Sequence, residues 1–364
     1  MSKKILIRAT GILPPGNGNY RQGIGRSNYE LLQAILEQQD TDLQFSIYCN
    51  QPRNPFYNFD EWPIKHYRNL LPHTLNDYCS LEAWWRKAFT KYDLFHITDN
   101  YAQVYPGERF VVTIHDMQLY KERPRSVELF QKMGNDSLGI VTCSEYTKQE
   151  IIKYLHVDQN KITVIPWGIN HSMFYPRDKR RIENILAKYH INNKYFFACS
   201  CAHPRKNARD ILLGFKKFIS SNKGYSLVLT WGNVPENVKE EYRNEIRSGE
   251  IIFLEYVNDE ELACLYSGAL ASLLVSSLEG FGFPILESMA CGTNCITCNN
   301  SSLTEIGSDK AVFVHEHDID EIANAMKQFA DFGKGNVRDL IRYSSQYTWE
   351  NTAINYINFY KKFV

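Results

Sequence analysis

Two doubly wound α/β domains facing a cleft are the fold this sequence predicts, on three observations. Short, apolar, β-branched runs alternate with longer amphipathic segments, and the alternation starts afresh near residue 195. Strands that are nearly all apolar and separated by helices are buried on both faces, as in a parallel sheet. Between the halves, residues 166–176 carry two prolines and a glycine, the composition of a hinge. The 364 residues suffice for two domains of about 100–200 residues each.

In chain order, the first half predicts strands at 4–8, 44–49, 94–98, 110–114, 139–143 and 162–165. Helical periodicity falls between them at 22–38, 81–91, 127–135 and 145–155. The second half predicts strands at 195–200, 227–231, 251–254, 270–275, 294–297 and 311–314. Its helices are expected at 208–220, 237–247, 260–267, 284–289 and 319–330. A last helical pattern covers 349–364. The division that follows is 1–168 together with a returning helix, 348–364, and 169–347.

Composition excludes several classes. Lys plus Arg and Asp plus Glu are 41 each, so the chain lacks the cationic surplus that binding a nucleic-acid backbone requires. No stretch reaches the ~18 apolar residues of a spanning helix, and Arg8 cuts the N-terminal apolar run short of a secretory signal. Cys143, Cys199 and Cys264 sit inside apolar runs, which reads as reduced thiols and a cytoplasmic protein. Cys291, Cys295 and Cys298, like Cys199 and Cys201, lack the paired spacing of a zinc site.

The sharpest chemical signal runs from Ser276 to Gly292. A buried strand is followed by Glu279-Gly-Phe-Gly-Phe-Pro284, then by Glu287, with seven residues between the two acids. Gly280 and Gly282 permit a tight turn, and Pro284 suits a helix start. The amides of Phe281, Gly282 and Phe283 with the helix dipole would cradle negative charge or hydroxyls. Glu287 is expected in the first helical turn, ionised and able to grip vicinal hydroxyls.

This segment resembles the E-x7-E signature of retaining glycosyltransferases of the GT-B architecture, most closely their family 4. Further motifs follow in order: Gly23-Ile-Gly25, His115-Asp116, Ser144-Glu-Tyr-Thr-Lys148, Ile165-Pro-Trp-Gly168, Pro204-Arg-Lys-Asn207 and Ser301-Ser-Leu-Thr-Glu305, the last read as a loop. The resemblance implies that Glu287 holds the donor ribose. Glu279, with the amides of Phe281, Gly282 and Phe283, would bind the transferred sugar. Arg205 and Lys206 would neutralise the diphosphate leaving group, Gly23 and Gly25 would let backbone amides approach it, and His115 would contact the sugar. Catalysis would thus fall to His115, Glu279 and Lys206. It also implies that the last helix crosses back onto the first domain.

Two departures stand out: Trp167 replaces the usual Asn, and Ser200 replaces an arginine that some members carry. Asp40-Thr-Asp42 and Asp318-Ile-Asp320 match the Asp-x-Asp of metal-dependent transferases, but read as a loop and a helix cap. No metal or other cofactor is therefore expected; the donor is a nucleotide-diphosphate sugar, GDP-mannose favoured over a UDP-sugar. The reaction expected is transfer of a mannose- or glucose-type hexose to a glycan or lipid-linked acceptor with retention, by front-face attack in preference to a covalent route, for which the sequence identifies no nucleophile. A non-catalytic nucleotide-sugar-binding protein of the same fold is the alternative. Helix 81–92 aligns Leu81, Trp84, Trp85, Ala88, Phe89 and Tyr92 beside Arg86, Lys87 and Lys91. It reads either as packed on the sheet or as a peripheral contact with the inner face of a membrane.

Overall fold

The computed structural model describes residues 2–8, 23–49, 65–68, 81–98, 100, 102, 104–118 and 127–364. The chain divides into two compact units, Met1–Gly168 with Trp349–Val364, and Ile169–Thr348. Thr348 belongs to the second unit, where it bridges Ile169.

The first unit holds β1 (Lys3–Arg8), α1 (Ile24–Glu37), β2 (Leu43–Cys49), β3 (Lys65–Arg68), α2 (Leu81–Phe89), β4 (Leu94–Ile97), β5 (Phe110–Thr113), α3 (Val127–Asp136), β6 (Gly139–Thr142), α4 (Glu145–Leu155) and β7 (Ile162–Val164). These strands form one parallel sheet, ordered β3-β2-β1-β4-β5-β6-β7. Residue 22, predicted to start α1, lies outside the described residues. Strand β3 was not foreseen, because Lys-His-Tyr-Arg has no apolar run; as an edge strand it needs none.

The second unit contains α5 (Lys179–Lys188), β8 (Lys194–Ala198), α6 (Ala208–Ser221), β9 (Tyr225–Thr230), α7 (Glu236–Glu241), α8 (Arg243–Arg247), β10 (Ile251–Leu254), α9 (Asp259–Gly268), β11 (Ser272–Leu274), α10 (Phe283–Ala290), β12 (Cys295–Cys298), α11 (Ser301–Gly307), β13 (Val312–Val314), α12 (Ile319–Phe332) and α13 (Val337–Ser344). Its parallel sheet runs β10-β9-β8-β11-β12-β13. The single helix expected over 237–247 is broken at Tyr242, whose φ of −110° and ψ of 22° leave the helical region. Helix α5 escaped prediction because it buries no side chain.

Both sheets therefore contain the order 3-2-1-4-5-6, the first with a seventh strand added beside the sixth, and the order reverses between the first and fourth strands. Ligands of such sheets bind beyond the carboxyl ends of the strands at that reversal.

Helix α14 (Trp349–Lys361) returns to the first unit and packs on α1. Gly139 in β6 makes room for it: a Cβ there would come within 2.7 Å of the Phe363 ring and 2.9 Å of Phe359. A buried polar chain fastens the helix. Tyr360 Oη lies 2.8 Å from His96 Nδ1, His96 Nε2 lies 2.8 Å from Thr113 Oγ1, and Thr113 Oγ1 lies 3.1 Å from Tyr356 Oη. Burial first, then neighbouring His115, push the His96 pKa down to about 3, so the ring is neutral.

Helix α2 inverts the expected packing. Ala83 and Arg86 are fully buried, whereas Trp84 is 61% and Phe89 58% exposed. Arg86 can go inside because Glu108 receives it bidentately, Nε to Oε1 at 3.0 Å and Nη2 to Oε2 at 2.8 Å. Its guanidinium also lies over Phe95, 4.0 Å from the ring centroid. Periodicity alone places aromatics inward; the partner Glu108, 22 residues away, reverses that.

Candidate functional site

The reversal in the second sheet lies between β8 and β11. The segments leaving these two strands, 199–207 and 275–282, hold the conspicuous charges. Gly282 adopts φ 108°, a left-handed conformation that side chains resist, and caps α10. Helix α10 begins at Phe283, with Pro284 second. Glu287 is consequently its fifth residue, in the second turn rather than the first, and is buried.

Three charged side chains converge here. Lys206 Nζ donates to Glu279 Oε1 at 2.6 Å, and Arg205 Nη1 donates to Glu279 Oε2 at 3.0 Å. Arg205 Nη1 also donates to Leu278 O at 2.7 Å. Burial works to raise the Glu279 pKa, but Lys206 and Arg205 outweigh it and hold the carboxyl below its ordinary range. Lys206 is itself buried, so carboxylate and ammonium compensate one another. Sequence reasoning found all three residues and set the acids opposite the cations; it did not foresee that one acid would occupy both.

Polar side chains lace the two loops together. Asn207, at φ 48°, donates from Nδ2 to Val275 O at 2.9 Å and to Ser277 Oγ at 3.0 Å. Ser277 N donates to Arg205 O at 2.9 Å. Ser302 Oγ donates to Glu279 O and Phe281 O, 2.9 Å each, and Ser301 Oγ accepts from Glu279 N at 3.2 Å. The segment 301–305, expected as a loop, is helix α11, and its first turn staples the turn that carries Glu279. Asn207 and Ser302 were quoted within motifs, but no role was assigned to them. A hydroxyl spanning two backbone carbonyls leaves no periodic signal.

Glu287 and that triad are sensed together at one point. Burial raises the Cys199 thiol pKa, Glu287 raises it further, and Lys206 lowers it. Cys199, just past β8, thus lies within electrostatic reach of both. Phe281 is buried, its ring 5.1 Å from Phe283 and 6.2 Å from Tyr347. Ser200 adopts φ 58° and donates its amide to Thr230 Oγ1 at 2.8 Å.

The first unit positions the remaining predicted residues. Gly23, at φ 59°, caps α1, and Gly25 is that helix's second residue. His115 follows β5 and is buried. Its amide donates to Asn100 Oδ1 at 2.7 Å, and its ring Nε2 lies 2.6 Å from Thr98 O, which also accepts from Asn28 Nδ2 at 3.4 Å. A carbonyl only accepts, so Nε2 carries the hydrogen and, in the neutral ring, Nδ1 is the acceptor.

The Asp-x-Asp pairs have local work. Asp318 Oδ1 accepts from Glu321 N at 2.9 Å as the α12 cap, and Asp40 Oδ1 accepts from the amides of Asp42 and Leu43. Among the described residues, no group of three or more His, Cys, Asp or Glu is placed to hold a metal ion.

The comparisons with known proteins agree on both units. A family model described as glycosyl transferases group 1 matches residues 179–344, and one described as glycosyltransferase family 4 matches residues 21–173. The chain is 28% identical over 313 residues to O-antigen chain mannosyltransferase B of Escherichia coli, covering 82% of this chain and 80% of that protein. It is 25% identical over 280 residues to the serotype-specific mannosyltransferase WbdA of Escherichia coli, covering 70% of this chain but only 34% of WbdA. Among solved structures, sucrose-phosphate synthase from Thermosynechococcus elongatus aligns with a TM-score of 0.78 at 15% identity, covering 99% of this chain and 98% of that one. Anabaena HepE, solved in complex with UDP and glucose, aligns with a TM-score of 0.75 at 13% identity, over 100% of both chains.

Proposed function

We propose, for a chain that belongs to glycosyltransferase family 4 and has the GT-B fold, that it transfers mannose from GDP-mannose to a glycan or lipid-linked saccharide, retaining anomeric configuration and needing no metal. The observation that carries this reading is the Arg205–Glu279–Lys206 triad at the reversal point of the second sheet. Two fixed cations suit a diphosphate leaving group, whose negative charge grows as the sugar–phosphate bond breaks. They can do for it what a divalent ion does elsewhere. The mannosyltransferase names among the relatives favour mannose over glucose.

In this scheme the donor diphosphate engages Arg205 and Lys206, and Glu279 turns from pure counter-ion to ligand of the sugar hydroxyls. Glu287 holds the ribose. The amides of Phe281, Gly282 and Phe283 lie against the sugar, and those of the segment opened by Gly23 and Gly25 against the diphosphate. His115 accepts a hydroxyl of the transferred sugar at Nδ1. The acceptor oxygen attacks the face the phosphate leaves, and the departing phosphate oxygen takes its proton. Retention follows from that front-face geometry, and no protein nucleophile is required.

Membrane contact is proposed for the outward face of α2. Trp84 and Phe89 are exposed there beside Lys87 and Lys91, a composition suited to an anionic bilayer surface. No described helix is long and apolar enough to cross a membrane.

A thermal-shift panel of GDP, GDP-mannose, UDP and UDP-glucose tests the donor, because a bound ligand raises the melting temperature with its affinity. Guanine ligands are expected to give the largest shift, and transfer is expected to survive EDTA. Loss of turnover in EDTA with recovery in magnesium overturns metal independence. Glu279→Gln is expected to lose most turnover yet bind GDP at least as well, since both cations are then released to the diphosphate. Full turnover in that variant overturns the role of Glu279.

A further inference from the structure

At position 167 the sequence departs from its family, and there the structure builds an aromatic brace. Trp167 is 3% exposed. Its ring centroid lies 5.1 Å from that of His115, with planes at 67°, and 5.8 Å from that of Trp349, with planes at 64°. Both separations and both tilts are those of favourable edge-to-face aromatic pairs. Each tryptophan is anchored through its own neighbourhood. Pro166, next to Trp167, gives its carbonyl to Thr352 Oγ1 at 2.9 Å, and Trp349 opens α14 three residues before Thr352.

We propose that Trp167 is a positioning residue for His115, wedged against its imidazole so that the ring keeps Nε2 on the Thr98 carbonyl and presents Nδ1 as the acceptor. The reasoning is steric and tautomeric. A histidine ring can turn about its Cβ–Cγ bond, which exchanges the places of nitrogen and carbon. A large, buried ring against it removes the space for that turn. Trp349 packs on Trp167 in turn, so the brace extends to the returning helix. The inference rests on the reading of His115 as a sugar contact, but its structural half stands apart from that reading.

The test combines spectroscopy and kinetics on the full chain. With 15N-labelled histidine, and His115 assigned through His115→Gln, the wild-type protein is expected to show protonated Nε2 and unprotonated Nδ1. Trp167→Phe, which keeps a ring, is expected to preserve that tautomer and most turnover. Trp167→Leu is expected to give mixed tautomers and a kcat lowered about tenfold or more, as a misplaced contact group does, with affinity for GDP within about twofold of wild type. Three results overturn the proposal: wild-type His115 carrying its hydrogen on Nδ1, Trp167→Leu keeping both tautomer and kcat, or Trp167→Leu losing GDP affinity and kcat together with the tautomer unchanged. The first needs only His115→Gln, for the assignment, and no Trp167 variant. Full turnover in His115→Ala overturns the sugar-contact reading instead, and the tautomer of the Trp167 variants then still decides the brace.

Discussion

The two sheets share one strand order, but their reversal points are furnished in opposite ways. In the second unit, a carboxylate and two cations meet in a partly buried cluster, laced by Asn207 and Ser302. In the first, His96, Thr98, Asn100, Thr113 and His115 form a network of short hydrogen bonds without a side-chain ion pair among them. A buried ion pair, Arg86 with Glu108, joins α2 to the segment before β5. A charged cluster suits a charged leaving group and a neutral one suits hydroxyls. One fold thus supplies two chemical environments.

The largest effect expected from breaking this contrast is at Lys206. Lys206→Met removes the cation closest to Glu279 and is expected to lower kcat/KM about 100- to 1000-fold, the range for losing one preorganised electrostatic contact in a transition state. Steady-state kinetics with GDP-mannose checks this, and a loss under threefold removes Lys206 from the mechanism. Next in size is Glu108→Gln, which leaves Arg86 charged and buried and is expected to cost about 3–5 kcal/mol of stability. Denaturant unfolding measures it; an unchanged midpoint means that Arg86 finds another partner.

Acid separates the units more finely. His96 is held at about 3 against an ordinary 6.5, so the unfolded chain takes up a proton in this interval that the folded chain does not. Its contribution is complete above pH 6.5 and drains away as pH falls toward 3. Glu279, held below its ordinary 4.5, contributes fully above that value and loses its share only at lower pH. Between pH 6 and 5, protection factors, from which the intrinsic slowing of amide exchange in acid has been removed, are therefore expected to drop in the first unit and not around Glu279, and His96→Gln is expected to abolish the early loss. A uniform drop across both units counts against the assignment. The smallest effect is expected from Trp84→Ala/Phe89→Ala: reduced flotation with anionic liposomes at unchanged melting temperature, and equal flotation of variant and wild type ends the membrane reading.

Much of this was legible in the chain of residues, and the gaps have definite causes. Residues 110–114 and 139–143 read as strands because buried parallel strands are apolar throughout, a local property. Strand β3 was lost because edge strands are short and charged, and α5 because it buries no side chain. Glu279 and Glu287 were legible as a pair because their spacing flanks a glycine turn. The turn of α10 on which Glu287 falls was not, since it depends on the helix starting at Phe283 after Gly282 reaches φ 108°.

By itself, then, the sequence determined the alternation of strands and helices, the two-unit division and the motifs that mark the family, because hydrophobic period and glycine geometry act over a few residues. Only the tertiary structure decided that Glu279 neutralises Lys206 and Arg205 from more than 70 positions away, that Arg86 goes inside and Trp84 outside, and that Trp167 meets His115 and Trp349. Charge compensation and ring packing are settled between segments distant in the chain. No local pattern records which partner a side chain will meet.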